Sequence, residues 1–173
     1  MKVIFFIFFI IVSCRKSEID SNTTDNKHIE NIILNPKIII SRAKYNSIIA
    51  TSDKLLKHDN DNAILIGNVR VDFFNENGQH ISKLFSDSAK IDENNNNFKA
   101  IGNVNVISDS NYTLSTQFLL WDNQYKLVTS NDSVRFTTNE GDTMYGIGFQ
   151  SDMDLANYKV YKPHGITREK ITE

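Results

Sequence analysis

The stretches LIGNVRVDFF, Leu65–Phe74, and AIGNVNVISD, Ala100–Asp109, both carry Gly-Asn-Val-x-Val, thirty-five residues apart. After each glycine the chain alternates. Val69, Val71 and Phe73 fall on one side of a period-two pattern, with Asn68, Arg70 and Asp72 on the other; Val104 and Val106 oppose Asn103 and Asn105 in the same way. Such alternation predicts antiparallel strands with one buried and one wet face. Alignment outward from these strands extends the repeat. Leu84–Tyr112 matches Leu114–Asp142, with Ile91-Asp92 over Trp121-Asp122 and Val104-x-Val106 over Val134-x-Phe136; a weaker copy runs from Lys54 to Gly78. The copies are about 30 to 35 residues long and cover Ser52–Asp142, a period that signals an array of similar supersecondary units.

Each unit has the grammar of a β-hairpin. A strand ends in Asp59, Asp92 or Asp122, a polar tip follows (DNDN, DENNNN, DNQ), and a second strand leads into the Val-x-Val or Val-x-Phe pair. Asn and Asp at the tips bond their own backbone and tolerate left-handed conformations, so turn formation explains their presence. Leu114 and Trp121 differ in parity, which predicts a bulge or bend between them if both point inward. No stretch of helical period follows residue 38. The expected fold is all-β: repeated hairpins in one antiparallel sheet that must curl or sandwich to hide its apolar face.

Composition agrees with a folded domain. The 173 residues are 40% apolar and 23% charged, with a net charge of −2 that offers no cationic excess for a nucleic-acid partner. The N-terminus reads MKVIFFIFFIIVSC, in which Lys2 precedes ten apolar residues, Val3–Val12. A membrane-spanning helix needs roughly twenty, so this run has the length of an export signal. Ile11-Val12-Ser13-Cys14 resembles a bacterial lipobox, which implies diacylglycerol attached to Cys14; a simply cleaved signal or short anchor is the other reading. Cys14 is the only cysteine, and lipidation would account for a lone thiol in an exported protein. The polar stretch Arg15–Asn35 reads as a tether, with folded structure expected from Ile38.

The order of SDSAKIDENNNNFKAIGNVNV, TLSTQFLLWD, NDSVRFTT and YGIGFQSDMDLANYKV resembles the LptC family of lipopolysaccharide-export proteins and their LptA-type relatives over roughly Ile38–Val160. The resemblance implies an open, twisted β-jellyroll with an apolar trough for acyl chains. Together with the lipobox reading it divides the chain into a lipoprotein signal peptide (1–13), lipidated cysteine and tether (14–37), jellyroll (38–161) and tail (162–173). Trough lining is expected from Val69, Val71, Phe73, Val104, Val106, Leu114, Phe118, Leu120, Val134 and Phe136; as sequence alone, these fit a closed sandwich core equally well. The implied partners are lipopolysaccharide, an inner-membrane ABC transporter near Ile38–Ala50, an LptA-type jellyroll near Thr143–Tyr161, and a membrane through Cys14, on the periplasmic face of the inner membrane. The lipobox departs from the N-terminal membrane helix of the familiar enterobacterial member.

No catalytic or cofactor pattern emerges. His28, His58, His80 and His164 have no zinc-ligand spacing, and the recurring aspartates lack the glycine and alternation of a calcium loop. Gly146-x-Gly148 has no dinucleotide-binding context, and no serine or cysteine nucleophile motif appears. The competing classes are an envelope lipoprotein that binds glycans through an exposed Trp121, and a purely structural lipoprotein.

Overall fold

The computed structural model describes residues 29–42, 45–58 and 62–167. Their strands are β1 (Ile29–Leu34), β2 (Lys37–Arg42), β3 (Tyr45–Thr51), β4 (Lys54–His58), β5 (Asn62–Phe74), β6 (His80–Asp92), β7 (Asn97–Ser108), β8 (Thr113–Asp122), β9 (Leu127–Thr137), β10 (Thr143–Ser151), β11 (Lys159–Val160) and β12 (Gly165–Thr167). All twelve belong to one antiparallel sheet, with no helix among the described residues. From β4 to β10 it is a meander; ahead of it, β2 and β3 pair beside one half of β5, and β1 and β4 beside the other.

The repeated Gly-Asn makes the bend. Gly67 and Asn68 have φ of 76° and 47°, Gly102 and Asn103 φ of 80° and 46°, so each pair is left-handed and forms a bulge. An aspartate fills each corner, Asp53 from the β3–β4 connection and Asp87 from β6: Asn68 Nδ2 donates to Asp53 Oδ2 at 2.9 Å and Asn103 Nδ2 to Asp87 Oδ2 at 2.8 Å. A Cβ on Gly67 or Gly102 would lie 2.4 Å from the same carboxylate oxygen. Serine and threonine satisfy the inner side of the corner. Ser52 Oγ donates to the Lys54 carbonyl, Ser86 Oγ to that of Ser88, and Thr116 Oγ1 to that of Ser133.

Bending divides the sheet into two halves that face each other. Val69, Val71, Leu84, Val106, Leu114 and Phe136 come from one half; Leu65, Ala89, Phe98, Leu119, Trp121 and Val128 come from the other, and all join one core. Aromatic contacts cross the gap, Phe73 to Trp121 at 5.8 Å and Phe136 to Phe149 at 5.1 Å between ring centroids. At the tips, Asp92 Oδ1 accepts from the Asn94 N–H and Asp122 Oδ1 from those of Gln124 and Tyr125, with left-handed Asn96 and Lys126 closing the turns. These two aspartates therefore start turns, as their recurrence predicts.

Two boundaries differ from the sequence reading. Strand structure already covers Ile29–Leu34, ahead of Ile38, because β4 offers an unpaired edge that β1 fills from Ile29↔His58 to Leu34↔Lys54. Beyond Tyr161, Gly165–Thr167 pairs with β10, so part of the expected tail is strand β12. The signal segment, Cys14, His28 and Asp59 lie outside the described residues.

Candidate lipid-binding trough

Eight of the ten expected lining residues do face the space between the half-sheets: Val69, Val71, Phe73, Val104, Val106, Leu114, Val134 and Phe136 are all buried there. Phe118 and Leu120 are not among them. Strand β8 pairs Thr116 with Val104 but Phe118 with Ile101: Gln117 alone crosses the corner opposite the Gly102-Asn103 bulge, and the parity of β8 flips there. Leu114 and Thr116 point inward before the bulge, Leu119 and Trp121 after it, and Phe118 and Leu120 turn to the outer face, half-buried. The parity clash between Leu114 and Trp121 announces a change of face within β8, but no residue type at Gln117 marks its position, and alternation alone assigns the wrong pair.

Along its middle the trough is filled by its own side chains. It opens where the tips of the half-sheets part, in a cavity of about 620 Å³. Ile48, Phe73, Ile81, Trp121 and Met153 form its apolar wall, while Asn75, Glu76, Asn123, Lys126, Asp152 and Asp154 bring polar groups to its rim. Of the ten expected residues only Phe73 reaches this opening; Ile48, Ile81 and Met153 were missed because they lie outside the Val-x-Val repeats. Trp121 is 5% exposed, so it forms wall rather than an exposed platform for sugar rings.

The loop after β10 closes the far side. Met153 and Leu155 are buried in the core, and Tyr158 packs on Phe136 with centroids 4.3 Å apart. Two carboxylates fasten the loop. Burial, and then neighbouring Asp152, push the Asp154 carboxyl above the usual range. Burial also pushes Asp152 upward, but hydrogen bonds from Asp154, Asn157 and Ser151 outweigh it and hold that carboxyl below the usual range. The raised Asp154 contributes stability that is full below its unfolded pKa and lost as pH rises through its folded value; the depressed Asp152 contributes stability lost as pH falls through its own. The loop is therefore tightest near the ordinary carboxylate pKa and loosens towards neutrality. Asp154→Asn should remove that loosening, read as slower amide exchange at Leu155 at neutral pH; exchange as fast as wild type would exclude the pair as the fastening.

The two sheet edges differ. Among the described residues nothing pairs on the outer edge of β1 and β2, and Ile39 there is half exposed. At the other end the chain covers itself: β11 and β12 pair with β10, the Ile147 N–H donates to the Tyr161 carbonyl at 3.0 Å, and Tyr161 N–H to that of Gly148 at 2.9 Å. Gly146 permits this approach, since a Cβ there would lie 2.4 Å from Val160 Cγ1. The stretch Thr143–Tyr161 is thus no bare edge.

A family model described as "Lipopolysaccharide-assembly, LptC-related" matches residues 3–163. The chain belongs to the LptC-related family. No curated protein matches its sequence. Among solved structures, this LptC-related chain is similar to LptH of Pseudomonas aeruginosa, described as the LptA-homologous periplasmic component of the lipopolysaccharide transport device. Identity is 16%, the match covers 66% of this chain and 82% of LptH, and the TM-score is 0.54. At that identity the likeness establishes the fold, an LptA-like open β-jellyroll, and the LptC-related chain shares its bent antiparallel sheet.

Proposed function

We propose that this protein is a lipopolysaccharide-transport component that receives lipopolysaccharide from an inner-membrane ABC transporter and passes it to an LptA-type periplasmic jellyroll. One observation carries the reading: an apolar interior that opens at one end into a cavity with an apolar wall and a polar rim. That is the shape of a site for an amphiphile, with acyl chains against Ile48, Phe73 and Ile81 and the headgroup at Asn123 and Lys126. Its volume falls within the usual range of ligand sites, about 300–1,000 Å³. Longer chains reach the buried Val71 and Val106 only if the half-sheets part. Strand addition to the open β1–β2 edge joins one neighbour. An LptA-type partner at the other end meets the Lys159–Thr167 segment first. Cys14 lipidation holds the protein at the periplasmic face of the inner membrane.

Photocrosslinking to lipopolysaccharide in cells tests this, with probes at Ile48, Ile81 and Val106 and a control at outward Arg135. We expect the strongest adducts at Ile48 and Ile81, weaker ones at Val106 and none at Arg135. An exported protein with no adducts at the three inward sites would reduce the trough to a structural core, and adducts at Arg135 alone would indicate glycan binding on the outside.

A further inference from the structure

Phe118 and Leu120, displaced from the trough, belong to a second apolar surface. Register across the outer face aligns Leu34, Lys54, Ile66, Ser88, Ile101 and Phe118 in one row. The next row is Ile32, Leu56, Ile64, Lys90, Lys99 and Leu120. Eight of these twelve positions are apolar, three are lysines, and none is acidic. The outer face of an antiparallel sheet is ordinarily polar, yet Ile32 is 62% exposed, Leu34 65%, Ile101 46% and Ile66 39%. Six adjacent strands give the patch a width of roughly 24 Å at about 4.8 Å per spacing. Lys54, Lys90 and Lys99 form no ion pair among the described residues. Along its margins Asp53 and Asp87 are bonded at the corners, Asp92 and Asp122 in the turns, and Glu93 is paired with Lys57.

We propose that this outer face docks on a bilayer surface containing anionic phospholipid. Isoleucine and leucine enter the headgroup boundary, and the interspersed lysines meet lipid phosphates. The position of the N-terminal apolar run favours a membrane over a protein as occupant. Sixteen residues separate Val12 from Ile29, and at about 3.3–3.6 Å each they reach at most roughly 58 Å. A run that enters a membrane therefore keeps the domain beside it, and β1, where the chain enters the sheet, carries two of the most exposed side chains of the face. Docking in this way lays the sheet flat, with its edges along the membrane. It is thus a state that the protein leaves when it joins a structure standing away from the membrane.

The test uses the full chain reconstituted on vesicles of phosphatidylethanolamine and phosphatidylglycerol carrying doxyl-labelled lipid. An environment-sensitive fluorescent amino acid is placed at Leu34, Ile66 or Ile101, and at Ser115 on the other half-sheet as control. Quenching is expected at the first three sites and not at Ser115. Joint replacement of Lys54, Lys90 and Lys99 by Glu should lower face contact by roughly ten-fold or more, and added salt should weaken it in the wild type. Unquenched face probes on a chain that floats with the vesicles would overturn the proposal. Equal quenching in the lysine-replaced variant, or a probe response that follows protein concentration and so reports a second copy, would overturn it too. Protection of these sites in cells but not on vesicles would assign the face to a protein partner instead. A wild-type chain that fails to float would remove the membrane tether along with this proposal.

Discussion

Phe136→Ala should lower the folding free energy by about 3–5 kcal/mol, the range for truncating a buried aromatic side chain. Phe136 is fully buried and stands where three parts of the molecule meet. It stacks with Tyr112 at 6.0 Å within its own half-sheet, meets Phe149 of the opposite half at 5.1 Å and carries Tyr158 of the closing loop at 4.3 Å. Removing the ring leaves a cavity that rigid strands on both sides cannot collapse to fill. Urea unfolding should show a lower midpoint with an unchanged slope. Ile107→Ala, on the exposed face of β7, should stay within about 0.5 kcal/mol. A cost for Phe136→Ala below about 1 kcal/mol would mean that the half-sheets do not seal against each other.

The second large effect is at the corners. Gly102→Ala places a Cβ 2.4 Å from Asp87 Oδ2 at a φ of +80°, and Gly67→Ala repeats the clash with Asp53 at +76°. Left-handed strain in a residue with a Cβ costs about 1–3 kcal/mol, and the corners share no partner, so the double variant should lose roughly 2–6 kcal/mol. Asn103→Gly separates conformation from bonding. Glycine accepts the φ of 46° and forfeits only the exposed bond to Asp87, so the net change should remain within about 1 kcal/mol. Thermal or urea unfolding of the four proteins decides the matter. If both glycine variants matched wild type, the corners would be adaptable loops and not the fixed hinges of the fold.

Those corners also mark what can be read from sequence. Val69, Val71, Val104 and Val106 declare their face by strict alternation, and Asp92 and Asp122 declare turns because their side chains act on residues two and three positions away. Local chemistry of this kind survives translation into structure. The displacement of Phe118 and Leu120 does not, because the parity change at Gln117 is set by the Gly102-Asn103 bulge of the neighbouring strand, fourteen residues away. β1 was hidden for a similar reason: IENIIL has no alternation of its own and takes its conformation from the edge of β4. The mouth of the trough is hidden most deeply. Ile48, Ile81, Trp121 and Met153 come from four separate stretches, and only the opposition of the two half-sheets brings them together.

The covered edge of β10 makes the two ends of the sheet unequal. A β-protein with two long free edges can add copies of itself without limit, whereas here one long edge, β1–β2, stands opposite a β10 already paired along its length with the short β11 and β12. Head-to-tail addition of identical copies onto β10 would first have to displace Lys159–Thr167. The fold thereby gives the chain a polarity, with one end ready to pair and the other paired only at a cost.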